Sequence, residues 1–221
     1  MTRPAAPRGR TGRPPVTSRG EILAAARRLI DREGGAALTL RRLAAELGIG
    51  TTTLYRHVRD REDLLVQLLD DVAEHIDLPE PAARPRDRIV DAAAAVHDAL
   101  ASWPWAAEVL TVDGFLGRLG LPALRPVETI VAAAVEDGCT QQQAVELFRH
   151  IWYYTVGEIL VRARSQQRPA EAESGSFLAA EDLSRVPTLA AIGSRWLEYE
   201  ARDSYREGLS AFVDGLLAAY R

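Results

Sequence analysis

The chain has 221 residues, of which 47% are hydrophobic and 26% are charged, a globular composition that argues against wholesale disorder. The single cysteine, Cys139, excludes an internal disulfide framework, and the longest apolar run, the six residues 130–135, is far too short to span a membrane. Residues 1–17 lack the apolar stretch of a signal peptide. These features predict a soluble cytoplasmic protein of one or two domains that does not contact a membrane.

Charge is distributed unevenly along the chain. Residues 1–61 hold 13 Arg and 5 acidic residues, whereas residues 62–221 hold 14 Arg and 26 acidic residues. A basic first part joined to an acidic remainder predicts a polyanionic partner at one end of the chain only. The first 17 residues, rich in arginine, proline and glycine, are expected to form a disordered basic arm.

Helical periodicity runs through almost the whole chain, and the prediction is an all-α protein. Ser18 and Glu21 fit a capping box, in which the serine oxygen and the glutamate satisfy free amides at the start of a first helix. Gly34 ends that helix, and Thr39 can cap a short second one. The third and fourth helices are predicted at about residues 51–57 and 61–77.

Three prolines between residues 79 and 85 mark the most obvious boundary in the chain. Beyond them the helical pattern resumes, with an interruption at residues 103–105. Thr140 and Gln143 fit a second capping box. The polar segment 165–187 is expected to be a mobile loop, either a lid or disordered. The later helices are predicted at about residues 87–101, 123–136, 140–164 and 202–220, with a further helical stretch before residue 123.

Residues 39–57 carry the most informative pattern, two short helices joined by Gly48-Ile49-Gly50 in the proportions of a helix-turn-helix. In that motif the second helix enters the major groove of DNA, so it needs a polar face and a few apolar anchors. Leu54 is the one large anchor of the third helix, and the remaining side chains can hydrogen-bond or stack. These candidate DNA-binding residues are Thr51, Thr52, Thr53, Tyr55, Arg56 and His57.

Three blocks with matching spacing resemble the DNA-binding domain of TetR-family transcriptional repressors. They are residues 38–48 (LTLRRLAAELG), 53–58 (TLYRHV) and 61–65 (REDLL), within a match of about residues 18–77. The resemblance implies that the six candidate residues contact DNA. It also puts Arg61 where the family usually has a phosphate-binding lysine, and Gly50 where it often has a serine cap.

Several of these residues have an alternative role. Tyr55 could pack its ring beside Leu54 without touching DNA, and His57 could act only at the helix end. Arg41, like its neighbour Arg42, is expected to be solvated or to face a phosphate rather than to read a base. The basic arm could lie in a flanking minor groove or could be a solubilising tail.

The acidic remainder predicts a larger helical domain for effector binding and dimerisation, with the division placed between residues 18–60 and 61–221. Weaker motifs, including residues 103–105 (WPW) and 205–209 (YREGL), resemble the carboxy-terminal domain of the tetracycline-repressor-like branch. This resemblance implies a homodimer, formed through a four-helix bundle of the long helix and the last helix, with an effector pocket in each subunit. Gly157, inside the long helix, suggests close approach of another backbone.

Candidate effector-binding residues are aromatic or polar groups on otherwise apolar helices, and core packing is the alternative for each of them. Glu146 and His150, four residues apart, could share a metal or an effector, whereas an exposed ion pair is the simpler explanation. The effector candidates are His97, Trp105, Phe115, His150, Trp152 and Tyr153.

These patterns together predict a ligand-responsive transcriptional repressor that binds a pseudo-palindromic DNA operator as a homodimer and is released by a small-molecule effector. The helix at residues 61–77 would link the two functions. No nucleophile elbow, H-E-x-x-H motif, phosphate loop or paired-cysteine site occurs, so no catalytic residue, metal or cofactor is predicted. The alternative is a dimeric helical scaffold or sensor that acts without specific DNA binding.

Overall fold

The computed structural model describes residues 17–111, 116–166, 185–193 and 195–220. Within these residues the secondary structure is helical and contains no strand, which confirms the all-α prediction. No helix in these ranges has the length and hydropathy needed to cross a bilayer. The basic arm up to residue 16, and residues 167–184 of the predicted mobile loop, lie outside the described part of the chain. The chain divides after Leu68 into two compact units.

The first unit forms through local capping signals that the sequence displays. The Ser18 hydroxyl accepts a hydrogen bond from the Glu21 amide at 3.2 Å, and the Glu21 carboxylate accepts one from the Ser18 amide at 2.7 Å. Thr39 caps the second helix by accepting from the Arg42 amide at 3.2 Å. Both predicted caps are therefore confirmed. The helices are α1 (Arg19–Glu33), α2 (Leu40–Glu46), α3 (Thr51–Leu54) and the start of α4 (Arg61–Glu74).

A small apolar core holds these helices together. Leu29, Leu43 and Leu64 come from three different helices, and each is fully buried. The chain turns between α2 and α3 at Gly48, whose φ of +65° is a conformation that favours glycine. This turn makes α2 and α3 a helix-turn-helix.

The predicted ends of two helices are wrong. The third helix ends at Leu54 rather than near His57, because Arg56 and His57 donate to carbonyls only three residues back, at 3.2 and 2.9 Å. Helix α4 ends at Glu74 rather than at residue 77. His75 and Ile76 likewise make tighter three-residue turns there.

The second unit contains the remaining helices. Thr140 and Gln143 form the predicted capping box at the start of the long helix, which ends at Gln166. The last helix begins at Tyr205 rather than at residue 202, and two short helices before it were not predicted. The elements are α5 (Pro85–Ala101), α6 (Pro104–Leu110), α7 (Leu121–Glu136), α8 (Gln141–Gln166), α9 (Pro187–Ile192), α10 (Arg195–Glu200) and α11 (Tyr205–Tyr220).

Helix α5 is central to this unit, since it packs against α7, α8 and α11. Ile89 of α5, Leu147 of α8 and Leu209 of α11 are each fully buried in the shared core. A Cβ atom at Gly208 would collide with the Tyr154 hydroxyl, so any other residue there would require the tyrosine side chain to shift. The space beside Gly157 is open within the described chain, so no close backbone approach occurs there.

Helix α8 is buried along one face and exposed on its other sides. Ile151, Thr155 and Ile159 are each 2% exposed and form the inner line. Val145 and Val161 are 50% and 67% exposed. Among the described residues, α8 therefore carries exposed apolar side chains outside its buried face.

Candidate DNA-binding surface and effector cavity

Helix α3 presents a polar surface on two apolar anchors. Leu54 within the helix and Val58 just after it are each 1% exposed, so they fasten this segment to the core of the first unit. Gly50 precedes the helix and supplies no side-chain cap. The other six side chains of the segment are exposed and make no side-chain hydrogen bond to another described residue. They are Thr51, Thr52, Thr53, Tyr55, Arg56 and His57.

The Tyr55 ring is 57% exposed. This exposure leaves the ring accessible to a partner, and the alternative, packing beside Leu54 without touching DNA, stays open. The structure therefore brings all six candidate residues together on one accessible surface of hydroxyl, aromatic, guanidinium and imidazole groups. Such groups can donate to phosphates and to base edges, and the aromatic rings can stack.

The arginines around this surface differ in what they contact. Arg41 is exposed and forms no ion pair with another described residue. Arg42 instead pairs with Glu33, which also contacts Arg32 at 3.2 Å. Arg32 in turn pairs with Glu46 at 3.0 Å, and this contact raises the pKa of the Arg32 guanidinium. Arg41 is thus the more available of the two neighbouring cations.

Arg61 has a structural role that the sequence does not predict. Its Nε donates to the Leu38 carbonyl at 3.1 Å, and its Nη2 donates to the Gly35 carbonyl at 3.2 Å. The side chain thereby ties the start of α4 to the turn between α1 and α2. A guanidinium has five N–H donors, so three remain for other partners.

The second unit contains a cavity of about 300 Å³. Its walls are mostly aliphatic and aromatic side chains of α4, α5, α7 and α8. Four polar residues also line it, and two of them have hydroxyls that are already satisfied: Thr155 bonds Tyr205 at 2.7 Å and Thr111 donates to the Glu108 carbonyl at 2.7 Å. The other two are Arg149 and Tyr153, whose side chains are 3.2 Å apart at Nη2 and the hydroxyl.

Two of the predicted effector residues, Trp152 and Tyr153, line this cavity. Three others do not, because other contacts hold them elsewhere in the unit. The Trp105 ring lies 4.8 Å from the Trp103 ring, and the His150 Nδ1 is 3.4 Å from the Tyr220 hydroxyl. His97 is described below, and Phe115 lies outside the described residues.

His97 belongs to a buried polar network. Its Nε2 is 2.8 Å from the Glu158 carboxylate and its Nδ1 is 2.9 Å from the Asp98 carboxylate. Its ring stacks on the Tyr205 ring with centroids 3.7 Å apart. The Tyr205 hydroxyl then meets Thr155, so His97 stands behind the cavity wall rather than on it.

Sequence reasoning missed several cavity residues, including Arg149 and the contribution of α4. Leu69, Val72 and Ile76 continue the apolar stripe of α4, a pattern that equally fits a packed core. The space beside that stripe exists because of where α5, α7 and α8 pack, which the sequence does not reveal.

The suggested metal pair is not assembled. Glu146 accepts a hydrogen bond from Gln142 at 2.9 Å, while the His150 ring faces Tyr220. Across residues 17–111, 116–166, 185–193 and 195–220, no three His, Cys, Asp or Glu side chains cluster as metal ligands would.

Fold and surface together define a helix-turn-helix protein with a separate cavity-bearing helical unit. Two family models match: "Bacterial regulatory proteins, tetR family" over residues 22–68, and "Tetracyclin repressor-like, C-terminal domain" over residues 78–220. The chain therefore belongs to the tetR family of bacterial regulatory proteins.

Individual relatives agree with this assignment. An HTH-type transcriptional regulator of Saccharopolyspora erythraea is 30% identical over 66% of this chain, and the HTH-type transcriptional repressor DrrR1 of Streptomyces coeruleorubidus is 30% identical over 80%. The chain spans only 61% and 65% of these relatives' own lengths. The crystal structure of Streptomyces coelicolor ActR in complex with actinorhodin superposes with a TM-score of 0.74 at 24% identity, over 92% of this chain and 97% of that one.

Proposed function

We propose that the protein is a ligand-responsive transcriptional repressor that binds a pseudo-palindromic DNA operator as a homodimer. The observation that carries this proposal is the α3 surface, where six adjacent polar or aromatic side chains are exposed and have no side-chain hydrogen-bond partner in the described chain. These side chains contribute little to the stability of the fold, since none of them is buried, so a binding role explains the surface better. Membership of a family of bacterial regulatory proteins supports the same function, as does the name of the relative DrrR1, a transcriptional repressor.

In this proposal the side chains of α3 read base edges, while Arg41 and the free donors of Arg61 hold phosphates. A homodimer would place two copies of α3 in successive major grooves, about 34–36 Å apart or a multiple of that distance. Val161 of α8, which is 67% exposed and lies one turn from Gly157 on the same side of the helix, supports a second copy as the partner that covers it.

The cavity is the proposed effector site. Aliphatic and aromatic walls favour an apolar ligand, and the Arg149 guanidinium favours one oxygen-rich acidic group on it. In the ActR structure a small molecule, actinorhodin, is bound by a protein of the same fold. The effector would release DNA only to the extent that it binds the DNA-free state more tightly.

We further propose that the protein acts in the cytoplasm, where the DNA is, and that it performs no catalysis. Effector and operator binding alone account for the exposed α3 surface and for the cavity.

The test begins with selection of duplexes from a randomised DNA pool by the full-length protein. We expect enrichment of one palindromic sequence, a footprint over both half-sites, and an affinity that falls steeply as salt rises, because phosphate contacts release counterions. Binding that shows no sequence preference, or little salt dependence, would instead support the helical scaffold.

The effector site is tested separately with a thermal-shift screen of small organic acids and their amides. We expect hits among apolar aromatic acids that change the tryptophan fluorescence of the wild-type protein but not that of Trp152→Phe, and Arg149→Met should weaken these acids more than the matching amides. Equal weakening of acids and amides would argue against the assigned role of Arg149.

A further inference from the structure

One side chain, Gln67 of α4, joins three parts of the first unit. Its Nε2 donates to the His57 carbonyl at 3.1 Å, just after α3, and to the Asp63 carboxylate at 3.2 Å. Its Oε1 accepts a hydrogen bond from Nε of Arg19 at the start of α1, also at 3.1 Å. The half-buried amide thus uses both of its ends.

The segment that Gln67 contacts has few other attachments. Helix α3 has four residues, and Gly50 gives it no side-chain cap. A helix end leaves carbonyl groups without intrahelical partners, and His57 offers such a carbonyl. Leu54 and Val58 anchor the segment by packing. The hydrogen bond from Gln67 adds a directional constraint at the carboxyl end.

Asp63 orients the amide that makes this bond. Its carboxylate accepts from the Arg59 amide at 2.8 Å as well as from Gln67. Burial raises the pKa of the Asp63 carboxyl, but these hydrogen bonds together outweigh it, so the pKa is lowered. The Asp63 amide is itself held by the Asp60 carboxylate at 2.8 Å. Because Asp63 accepts and Arg19 donates, the oxygen and nitrogen of the Gln67 amide can be arranged in only one way.

We propose that Gln67 is a positioning residue for operator recognition: it holds the carboxyl end of α3 at the angle that base reading needs. The inference rests on the proposed DNA-binding function and goes beyond it, since Gln67 is not on the α3 surface. Base-edge hydrogen bonds depend on angle, whereas phosphate contacts tolerate a few degrees of rotation. Loss of the bond should therefore reduce affinity for the selected duplex more than affinity for DNA in general.

The experiment compares Gln67→Glu and Gln67→Met with the wild-type full-length protein. Gln67→Glu keeps the acceptor for Arg19 and removes both donors, while Gln67→Met is uncharged and removes all three bonds. Fluorescence anisotropy would measure binding to the duplex selected by the wild-type protein and to a scrambled duplex of equal composition. We expect both variants to lose about 3- to 10-fold in the ratio of the two affinities, the size expected for one hydrogen bond.

A second measurement does not depend on DNA. Amide hydrogen exchange of residues 55–58 in the free protein should quicken by a similar factor in both variants, while exchange in α5 and α8 stays unchanged. Gln142→Glu, which adds the same charge on α8 of the second unit, is the matched control and should alter neither result.

Either of two results would overturn the proposal: variants that keep the wild-type affinity ratio, or unchanged exchange at residues 55–58. If circular dichroism shows both variants to be unfolded, exchange in the wild-type protein decides, because the proposal requires residues 55–58 to be protected and fast exchange there would refute it. Failure of the wild-type protein to select any sequence would refute the proposed function instead, and would leave the exchange measurement to judge the contact itself.

Discussion

The hydroxyl groups of Tyr205 and Thr155 lie 2.7 Å apart in the interior of the second unit, between the cavity and the His97 network. Thr155 is 2% exposed and Tyr205 is 4% exposed. The pair therefore links the wall of the proposed effector site to the start of α11.

Tyr205→Phe should lower the free energy of unfolding by about 1–2 kcal/mol, because it leaves the buried Thr155 hydroxyl without its partner. The double variant with Thr155→Val removes both polar groups and should recover part of this loss. Urea denaturation of the two single variants and the double variant measures the coupling. Tyr154→Phe is the control, since that hydroxyl makes no hydrogen bond to a described residue. If the losses of the two single variants simply add in the double variant, the Tyr205–Thr155 hydrogen bond does not contribute to stability.

We also expect Tyr205 to make the free energy of unfolding depend on pH in the alkaline range. Burial raises the pKa of the Tyr205 hydroxyl well above its ordinary value. The Tyr205 hydroxyl therefore keeps its proton more strongly in the folded chain than in the unfolded chain, where its pKa is about 10. Its contribution to the free energy of unfolding is complete below that pH and falls as the pH rises beyond it. Denaturation series from pH 8 to 11 should show a smaller alkaline loss in Tyr205→Phe than in the wild-type protein; equal losses would contradict this assignment.

Arg61→Lys should loosen the first unit although it preserves the charge. A lysine ammonium cannot reproduce the two directed bonds from the Arg61 guanidinium to the Leu38 and Gly35 carbonyls. We expect amide exchange in α1 and α2 to quicken by about 3- to 10-fold. The salt dependence of DNA binding should stay the same, because a phosphate contact at this position needs only a positive charge. A lower salt slope with unchanged exchange would show the opposite division of roles.

Arg56→Ala and Arg41→Ala should have different effects on DNA binding. Arg56 stands on the α3 surface, and its loss should relax preference for one base pair by about 5- to 150-fold. Arg41 of α2 is assigned to a phosphate, so its loss should weaken all duplexes alike and reduce the salt slope by about one. Competition binding with single-base operator variants at several salt concentrations separates these outcomes. If Arg56→Ala weakens binding to all duplexes equally, Arg56 contacts a phosphate rather than a base.

Gly157→Ala tests the homodimer. Within one chain the added methyl group meets nothing within 4 Å, and alanine favours a helix by about 1 kcal/mol relative to glycine. If a second copy packs closely on this face of α8, the methyl group should instead weaken self-association by at least about fivefold. Sedimentation equilibrium measures this change; unchanged or stronger self-association would place the interface elsewhere.

The local signals in the sequence were enough to predict most helix starts. The capping boxes at Ser18 and Thr140 form as expected because each needs only residues three positions apart. The α3 surface was also predictable, since one apolar anchor among polar residues leaves little choice of which side is exposed. Helix ends were less predictable, because at α3 and α4 the chain changes to three-residue turns for which the sequence contains no specific signal.

The cavity and its polar contacts could not be predicted in the same way. An apolar stripe such as that of α4 looks the same whether a neighbouring helix touches it or leaves a space beside it. His97 was a reasonable candidate for a ligand, yet Glu158, 61 residues later, holds it in a buried network. Nothing in the sequence singles out Gln67, because a polar residue on an amphipathic helix is ordinary.

Local sequence patterns are sufficient for the helical class, the helix-turn-helix and the side chains that α3 exposes, because those depend on periodicity and on capping over a few residues. Tertiary structure alone decided which residues surround the cavity, that Arg61 binds carbonyl groups, and that Gln67 holds the end of α3. Each of these depends on a distance between residues far apart in the chain, and such distances are set by packing rather than by any local pattern.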